Sequence, residues 1–279
     1  MPGTAESDAG VALLRGMIRD AKRSRPSRHV VAGVVLELFS GSGRLSCALR
    51  KQGVPAVAVD IKQSALLDVT RPALLNYILR LVSCSALSFV WLGTPCSTWS
   101  LARRGHAGRP GGPLRTLQHI LGHPEALARP ADRQKIMLGN STMRASAAII
   151  RCCLAHGVAC GLENPNNSRI FKAPAVRTLC AKPAASVHVC DFCQFGSPFR
   201  KRTRVVLWLT GECSSIRQVC SGRFGCCSRT GRPHQIIRGN AADGRLLSLV
   251  AEPYPKQFVN RLATYLGSAL MFATPPGLL

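Results

Sequence analysis

The sequence predicts an α/β fold in which helices cover both faces of a parallel sheet. Short apolar runs typical of buried strands occupy residues 34–39, 56–59, 87–92 and 158–162. Patterns typical of helices lie between them, at residues 44–52, 71–82 and 143–155. Because two parallel strands must be joined by a crossover, and a helix provides one, this alternation favours a parallel sheet.

The chain divides into four predicted parts. The first is a short helix with a basic linker, the second an α/β core, the third a short Cys/His-rich segment, and the fourth a helix that packs on the core. Their bounds are residues 1–29, 30–210, 211–250 and 251–279. Two further strand-like runs, at residues 185–189 and 204–209, complete the core, and an amphipathic pattern places the last helix at residues 256–271.

Residues 101–139 interrupt the alternation of strands and helices. They hold seven Lys and Arg residues together with six glycines and four prolines. This composition predicts a mobile, basic insertion. Two interpretations are open: a solvated surface loop, or a loop that closes over a nucleic-acid backbone.

The charge balance points to a polyanionic partner. The 279 residues include 37 Lys and Arg against 13 Asp and Glu, which gives a formal net charge of +24. Such an excess, spread along the chain, is typical of nucleic-acid-binding proteins, so we expect a polyanion, most simply DNA or RNA, as the partner. A non-specifically basic, solvated surface is the other interpretation. The hydrophobic content of 46% is enough for a large core and excludes disorder throughout.

Cysteine usage and hydropathy bear on the compartment. The chain has 13 cysteines, including two adjacent pairs, and begins without an apolar signal segment, which argues against a secreted disulfide framework. We therefore expect an intracellular, reducing compartment, and the basic linker is compatible with nuclear import. No apolar run approaches the roughly 18 residues of a membrane span, so we expect a soluble protein without a membrane partner.

A glycine-containing loop follows the first predicted strand. Gly41 and Gly43 allow a tight turn and close backbone approach to a ligand, and Asp60 at the end of the next strand is able to accept both hydroxyls of a ribose. The third glycine of a dinucleotide fingerprint is replaced by Ser46, which disfavours a pyrophosphate-bearing cofactor. S-adenosylmethionine, which has no phosphate, suits this loop. A purely structural turn is the alternative.

A cysteine and a carboxylate follow two other predicted strands. Cys96 comes after Pro95, just beyond the run at residues 87–92, and Glu163 ends the run at residues 158–162. The carboxyl ends of parallel strands lie at one edge of a sheet, where open α/β folds bind ligands. Cys96 is therefore a candidate nucleophile, with a small buried hydrophobe as the alternative.

Taken together, these motifs resemble those of the cytosine-5 nucleic-acid methyltransferases. The matching segments, in chain order, are residues 37–43, Asp60, Pro95-Cys96 with Trp99-Ser100, Glu163-Asn164 and residues 196–204. The resemblance covers residues 33–210 and the C-terminal helix, so the chain looks like a compact member with a short target-recognition region. It implies a Rossmann-like, S-adenosylmethionine-dependent methyltransferase fold with a small Cys/His-rich appendage. It also implies DNA cytosine-5 methylation on a flipped base, with RNA such as tRNA as the alternative substrate.

The resemblance also implies roles for individual residues. Cys96 adds to C6 of cytosine, surrounding cations raise its reactive fraction, and Glu163, if protonated, donates to N3. Arg202 and Arg204 grip the base oxygen and order the catalytic loop; contact with phosphate is the alternative. This chain departs from the family pattern at Pro165 and has one extra residue in the arginine motif. A non-catalytic nucleic-acid-binding protein that retains the fold is therefore the rival hypothesis.

A cofactor pocket follows from the same resemblance. Its expected residues are Glu37, Phe39, Gly41, Gly43, Asp60, Asp68 and Pro95. Asp68 matches the acid that accepts from the adenine amino group, although a helix-capping role is an equal alternative.

The Cys/His-rich segment suggests a structural zinc ion. Soft ligands at the tetrahedral sites of small zinc domains are typically Cys and His, and the expected set here is Cys213, Cys220, Cys226 and His234. Free thiols in a loop are the alternative. Cys190 and Cys193 form a Cys-x-x-Cys pair, but a strand that runs through Cys190 argues against a redox role.

Overall fold

The computed structural model of the chain describes residues 4–24, 33–101 and 106–271. Residues 25–29 of the expected basic linker and residues 102–105 of the expected insertion lie outside this part. The described helices are α1 (Thr4–Arg23), α2 (Arg44–Lys51), α3 (Pro72–Ser83), α4 (Pro124–Ala128), α5 (Pro130–Ala155), α6 (Pro174–Cys180), α7 (Leu247–Val250) and α8 (Lys256–Met271). Within these ranges no helix combines the length and apolar character that crossing a bilayer requires.

The strands form a single six-stranded sheet. They are β1 (Val34–Leu38), β2 (Ala56–Val59), β3 (Leu87–Leu92), β4 (Ala159–Pro165), β5 (Ala185–Asp191) and β6 (Arg202–Trp208). The spatial order is β2-β1-β3-β4-β6-β5, and β1 to β4 are parallel. This is the Rossmann-like α/β fold that the sequence predicted.

One strand departs from the predicted parallel sheet. β6 lies between β4 and β5 and is antiparallel to both. The chain enters β6 from β5 through a short 3-10 turn, Phe192–Phe195, and the few residues after it, rather than through a crossover helix. A connection of that length cannot return the chain to the start of a parallel neighbour, so the direction of β6 is reversed.

Helices cover both faces of the sheet with separate apolar clusters. On one face α1, α3, α5 and α6 pack residues such as Leu14, Ile78 and Ile149 against the strands. On the other face α2 and α8 contribute residues such as Leu49 and Leu262. Since the sheet is buried on both sides, functional groups are accessible mainly at the strand ends.

The region expected to be a mobile insertion is partly helical and packed. α5 begins at Pro130, thirteen residues before the helical pattern recognised in the sequence, and α4 precedes it. The stripe of α5 that faces the protein includes the small or polar residues Gly139, Asn140 and Ser146, so apolar periodicity did not reveal it. A Cβ at Gly139 would lie 2.4 Å from Thr98 Oγ1, so the helix requires glycine there to approach the segment after Cys96.

Arg115, which the sequence places in the mobile, basic insertion, is fully buried. Its guanidinium stacks 3.6 Å from the ring centroid of Trp99. It donates hydrogen bonds to Thr98 Oγ1, to Asn140 Oδ1 at 2.7 Å, and to the carbonyls of Ile120 and Ile136. The insertion is thereby fastened to α5 and to the residues that follow Cys96.

Candidate active site

The carboxyl ends of β3 and β4 bring Cys96 and Glu163 to the same edge of the sheet. The two strands are neighbours in parallel register, with Leu92 opposite Leu162. Beyond them, Asn164 Nδ2 donates to the carbonyl of Thr94 at 2.7 Å and ties the two chain segments together. Cys96 and Glu163 therefore follow neighbouring parallel strands at one edge of the sheet, the arrangement that the sequence predicted.

Cys96 lies in a tight turn beside one cation and two carboxyl groups. The backbone amide of Trp99 donates to the carbonyl of Cys96 at 3.0 Å. Burial raises the pKa of the Cys96 thiol, the nearby ammonium of Lys201 lowers it, and the charges of Glu163 and Glu252 raise it. The net direction is upward, so the expectation that surrounding cations increase the thiolate fraction is not met here. Desolvation outweighs the single cation.

Glu163 is a buried carboxyl group, 6% exposed. The Tyr254 hydroxyl donates to its Oε2 at 3.1 Å, and Trp91 Nε1 donates to that hydroxyl at 3.2 Å. Glu163 Oε1 is buried and accepts no hydrogen bond of normal geometry from the described residues. Burial raises the pKa of Glu163, although Lys201 and the hydroxyls of Tyr254 and Thr203 lower it. A raised pKa favours the protonated carboxyl, which is a hydrogen-bond donor.

The register of β4 and β6 places Arg202 and Arg204 on the face away from Glu163. Glu163 is paired with Val205, and residues opposite each other in an antiparallel pair share a face. Side chains alternate along a strand, so Lys201 is on the Glu163 side of β6, whereas the two arginines are on the other side. Compared with the family motif, this chain has one extra residue after Pro198. That residue shifts the in-and-out alternation of the side chains along β6 by one position.

The contacts of the two arginines agree with this register. Arg202 forms a bidentate ion pair with the buried Asp191, in which Nε donates to Oδ1 at 2.9 Å and Nη2 donates to Oδ2 at 2.8 Å. Arg204 donates to Asn166 Oδ1 at 3.1 Å and stacks on the ring of Phe171. Lys201 is the functional candidate that sequence reasoning missed. The period of two in β6, counted from Val205, is the signal that identifies it.

The loop after β1 has the backbone conformation that a close-approaching ligand requires. Phe39, Gly41 and Gly43 have φ angles of 54°, 53° and 62°, all in the left-handed region. Asp60 Oδ2 accepts from the Gly41 amide at 2.7 Å, and Oδ1 accepts from the Lys62 amide at 2.8 Å. Each oxygen of Asp60 retains a second lone pair, so the carboxylate is able to accept from a ribose as well.

Two other expected cofactor residues, Glu37 and Asp68, make local hydrogen bonds in the structure. Glu37 is fully buried and accepts from the Ser46 amide at 2.7 Å, at the N-terminus of α2. Asp68 Oδ1 accepts from the amide of Thr70 at 2.9 Å and from its hydroxyl at 2.7 Å, so it stabilises the turn before α3. Pro95 is exposed directly before Cys96.

The orphaned buried oxygen of Glu37 bears on the fit of a nucleoside cofactor. Burial raises the pKa of Glu37, and its Oε1 has no hydrogen-bond partner among the described residues. Glu252 Oε1 lies 3.6 Å from the position of a Cβ on Gly41 and pairs with Lys62 at 2.5 Å. The unpaired Glu37 oxygen and the remaining lone pairs of Asp60 are acceptors of the kind that the polar groups of a nucleoside require, so the residues present fit S-adenosylmethionine.

A basic cavity of about 220 Å³ opens next to the end of β4. Its lining includes Leu101, Asn166 and the three cations Arg169, Lys172 and Arg204. Burial lowers the pKa of Arg169, whose Nε has no hydrogen-bond partner in the described part of the chain. A desolvated guanidinium with an unused donor favours an anionic ligand such as a phosphate.

Two of the four expected metal ligands, Cys213 and Cys226, lie apart from the other two. Cys213 is buried under α8 and its Sγ lies 3.3 Å from Ser215 Oγ. Cys226 Sγ contacts the carbonyl of Phe224. The group that does assemble contains Cys193, Cys220, Cys227 and His234, whose ligand atoms all lie within 4.8 Å of one another. Two of the expected residues, Cys220 and His234, belong to this group, whereas the adjacent Cys226 and Cys227 point in different directions and Cys227 is the one that joins it.

Comparison with known proteins finds only remote structural similarity. No protein-family model and no curated protein matches the chain. Similar solved structures include the Entamoeba histolytica methyltransferase EhMeth, at 15% identity and a TM-score of 0.37, covering 64% of this chain and 53% of that one. The Dnmt2 methyltransferase of S. pombe has the same identity and TM-score and covers 62% and 50%. The chain thus matches about half the length of each. At this identity and TM-score, activity and substrate must be inferred from the site itself.

Proposed function

We propose that the protein transfers a methyl group from S-adenosylmethionine to C5 of cytosine in DNA through a covalent adduct with Cys96. The observation that carries the proposal is the juxtaposition, at one sheet edge, of Cys96 with a buried Glu163 whose pKa is raised by that burial. Lys201 and the glycine loop at Gly41 adjoin the same edge. The reaction requires a nucleophile that adds to C6 and an acid that donates to N3, and a thiol and a carboxylic acid so placed match these two requirements.

Cys96 supplies the nucleophile. C5 of cytosine is a poor nucleophile until another group adds to C6. The Cys96 thiol loses its proton to water, its sulfur bonds to C6, and the electron pair of the C5–C6 double bond becomes available at C5. Lys201 favours the thiolate, and neutralisation of Glu163 removes a charge that opposes it. Protonation of Glu163 therefore makes the Cys96 thiol easier to ionise when the base enters the site.

Glu163 supplies the acid. Its protonated carboxyl donates to N3 of the base, which withdraws electrons from C6 and promotes addition of the sulfur. The orphaned Oε1 is the oxygen available for this contact, because Oε2 already accepts from Tyr254. The base must leave the stack to reach both groups, at a cost of a few kcal/mol.

The loop after β1 and Asp60 would hold the methyl donor. When bound, S-adenosylmethionine would supply an electrophilic methyl group. After methylation the C5 proton passes to water, the C5–C6 double bond re-forms, and the Cys96 thiolate leaves. The thiol is regenerated by protonation, so the protein is unchanged over the cycle.

The partner is a nucleic acid held by backbone contacts. The net charge of +24 and the cavity lined by Arg169, Lys172 and Arg204 favour a phosphate chain beside the site. These contacts do not distinguish deoxyribose from ribose, so RNA is the alternative substrate.

A second candidate function is binding without catalysis. The positions of Arg202 and Arg204, away from Glu163, and the raised pKa of Cys96 favour it. This rival and the enzyme predict the same affinity for nucleic acid, so a test must detect the covalent bond.

The test is a mechanism-based trap. The full chain is incubated with S-adenosylmethionine and with DNA or RNA that contains 5-fluorocytosine, whose fluorine cannot leave C5 as a proton does. We expect a denaturation-resistant adduct that Cys96→Ser abolishes and that Cys84→Ser, at an exposed thiol, preserves. The preferred nucleic acid identifies the substrate class. Binding of both nucleic acids with no adduct on either would establish the non-catalytic alternative.

A further inference from the structure

Three thiols and one imidazole assemble at the edge of the sheet next to β5. Cys193 belongs to the turn Phe192–Phe195, which follows β5, whereas Cys220, Cys227 and His234 come from the Cys/His-rich segment. Their four ligand atoms lie within 4.8 Å of one another. A tetrahedron with zinc–sulfur bonds of about 2.3 Å has sulfurs about 3.8 Å apart, so only a small contraction is needed.

The imidazole is already oriented as a ligand. His234 Nδ1 lies 2.7 Å from the carbonyl of Gly225, an acceptor that requires the proton on Nδ1. The lone pair of Nε2 then faces the cluster, where it lies 3.6 Å from Cys220 Sγ. A backbone carbonyl that fixes the tautomer in this way is the usual second partner of a metal-bound histidine.

Amide donors surround the sulfurs. The Ser228 amide donates to Cys220 Sγ at 3.3 Å. Gln194 Nε2 lies 3.6 Å from both Cys193 Sγ and Cys227 Sγ. Such donors stabilise thiolates, which are the form of cysteine that binds metal.

The Cys/His-rich segment has few buried side chains and little regular secondary structure to stabilise it. Within residues 211–246 the buried side chains are Cys213, Ile216, Cys220 and Cys227, and two of these four belong to the cluster. Between the 3-10 turn Ser214–Ile216 and α7, regular backbone pairing in the segment is limited to isolated bridges such as Cys226 with Pro233. A metal ion commonly replaces the apolar core in segments this small.

We propose that Cys193, Cys220, Cys227 and His234 bind a structural zinc ion that fastens the Cys/His-rich segment to the end of β5. Three thiolates and one imidazole complete a closed tetrahedral site, and this donor set selects zinc over hard cations. The proposal does not depend on the proposed methyl transfer.

The site also has a consequence for the start of β6. The Cys220 amide donates to Asp191 Oδ2 at 2.8 Å, and the Cys220 carbonyl accepts from Arg200 Nη2 at 2.8 Å. Asp191 in turn binds Arg202. Arg200 and Arg202, on either side of Lys201, are therefore linked to the backbone of Cys220, directly or through Asp191. Zinc bound to Cys220 would thus also stabilise the position of Lys201 beside Cys96.

The first test measures zinc in the full chain purified without chelators. We expect one zinc ion per chain in the wild type and in Cys226→Ser, and loss of zinc in Cys227→Ser and Cys193→Ser. Cys226 and Cys227 are adjacent, so this matched pair separates a defined site from general thiol binding. Equal zinc loss in both members of the pair, or a zinc-free wild type that takes up none from equimolar zinc, would refute the proposal.

A second measurement remains decisive if the cysteine variants fail to fold. Cobalt exchanged into the wild type should show the intense visible bands of a tetrahedral ion and the thiolate charge-transfer absorption in the near ultraviolet. His234→Cys, which keeps four ligands, should retain zinc and shift the cobalt bands toward those of a four-thiolate site. Weak octahedral bands, or a spectrum unchanged in His234→Cys, would exclude this ligand set.

Discussion

The Tyr254 hydroxyl donates a hydrogen bond to Glu163 Oε2 at 3.1 Å, across 91 residues of chain. Tyr254 precedes α8, and its ring packs edge-on against Trp91 and Phe192. The C-terminal part of the chain, expected only to pack on the core, thus supplies a polar contact to the candidate acid. This contact lowers the pKa of Glu163 against the larger effect of burial.

Replacing Tyr254 with Phe should move the basic limb of the pH–rate profile to higher pH. The hydroxyl stabilises ionised Glu163, and its loss costs that form about 1.5 kcal/mol, equivalent to about one pKa unit. Because the proposed acid must be protonated, activity falls as pH rises through its pKa, and a higher pKa postpones the fall. The measurement is kcat/KM against pH. The control is Tyr265→Phe, whose hydroxyl binds the Thr210 carbonyl and should leave the profile unchanged. A limb that stays in place in Tyr254→Phe would remove Glu163 as the titrating acid.

Replacing Lys201 with Met should raise the pKa of the Cys96 thiol further. Lys201 is the cation that lowers this pKa, whereas Arg204 lies on the opposite face of β6. The rate of Cys96 alkylation by iodoacetamide, followed by peptide mass spectrometry, should therefore rise only at higher pH in Lys201→Met. Arg204→Met is the matched control and should keep the wild-type profile. An equal shift in both variants would contradict the register-based assignment.

Replacing Arg204 with Gln should weaken nucleic-acid binding in a salt-dependent manner. If Arg204 neutralises one phosphate in the basic cavity, its removal decreases the slope of log K against log salt concentration by about 1. Equilibrium titrations at several salt concentrations measure this slope. Lys51→Gln, an exposed cation at the end of α2 on the other face of the sheet, is the control and should leave the slope unaltered. Identical slopes for wild type and Arg204→Gln would place the phosphate elsewhere.

Replacing Arg115 with Met should destabilise the fold by about 3–5 kcal/mol, because a buried network loses its central donor and leaves several acceptors unpaired. Those acceptors include Thr98 Oγ1 and Asn140 Oδ1. Urea unfolding gives the free energy of unfolding of each variant. Arg109→Met is the matched control from the same segment, since its side chain is 74% exposed, and should cost less than about 0.5 kcal/mol. Similar losses in the two variants would show that Arg115 is not the anchor of the insertion.

The sequence determined the local elements and the edge at which the site forms. β2, β3 and α8 have the bounds that the apolar patterns predicted, because those patterns depend only on near neighbours in the chain. The placement of Cys96 and Glu163 at one edge also follows from sequence, since successive parallel strands all end on the same side of a sheet.

Only the tertiary structure decided which side chains face that edge. Whether Lys201 or Arg202 points toward Glu163 depends on the pairing of β6 with β4, and one inserted residue exchanges the two faces. The choice of Cys227 over Cys226 and the burial of Arg115 likewise depend on contacts between segments distant in sequence. Local periodicity reports only on neighbours three or four residues away. The orientation of these side chains depends on contacts with residues tens of positions apart, and only the packed fold brings those residues together.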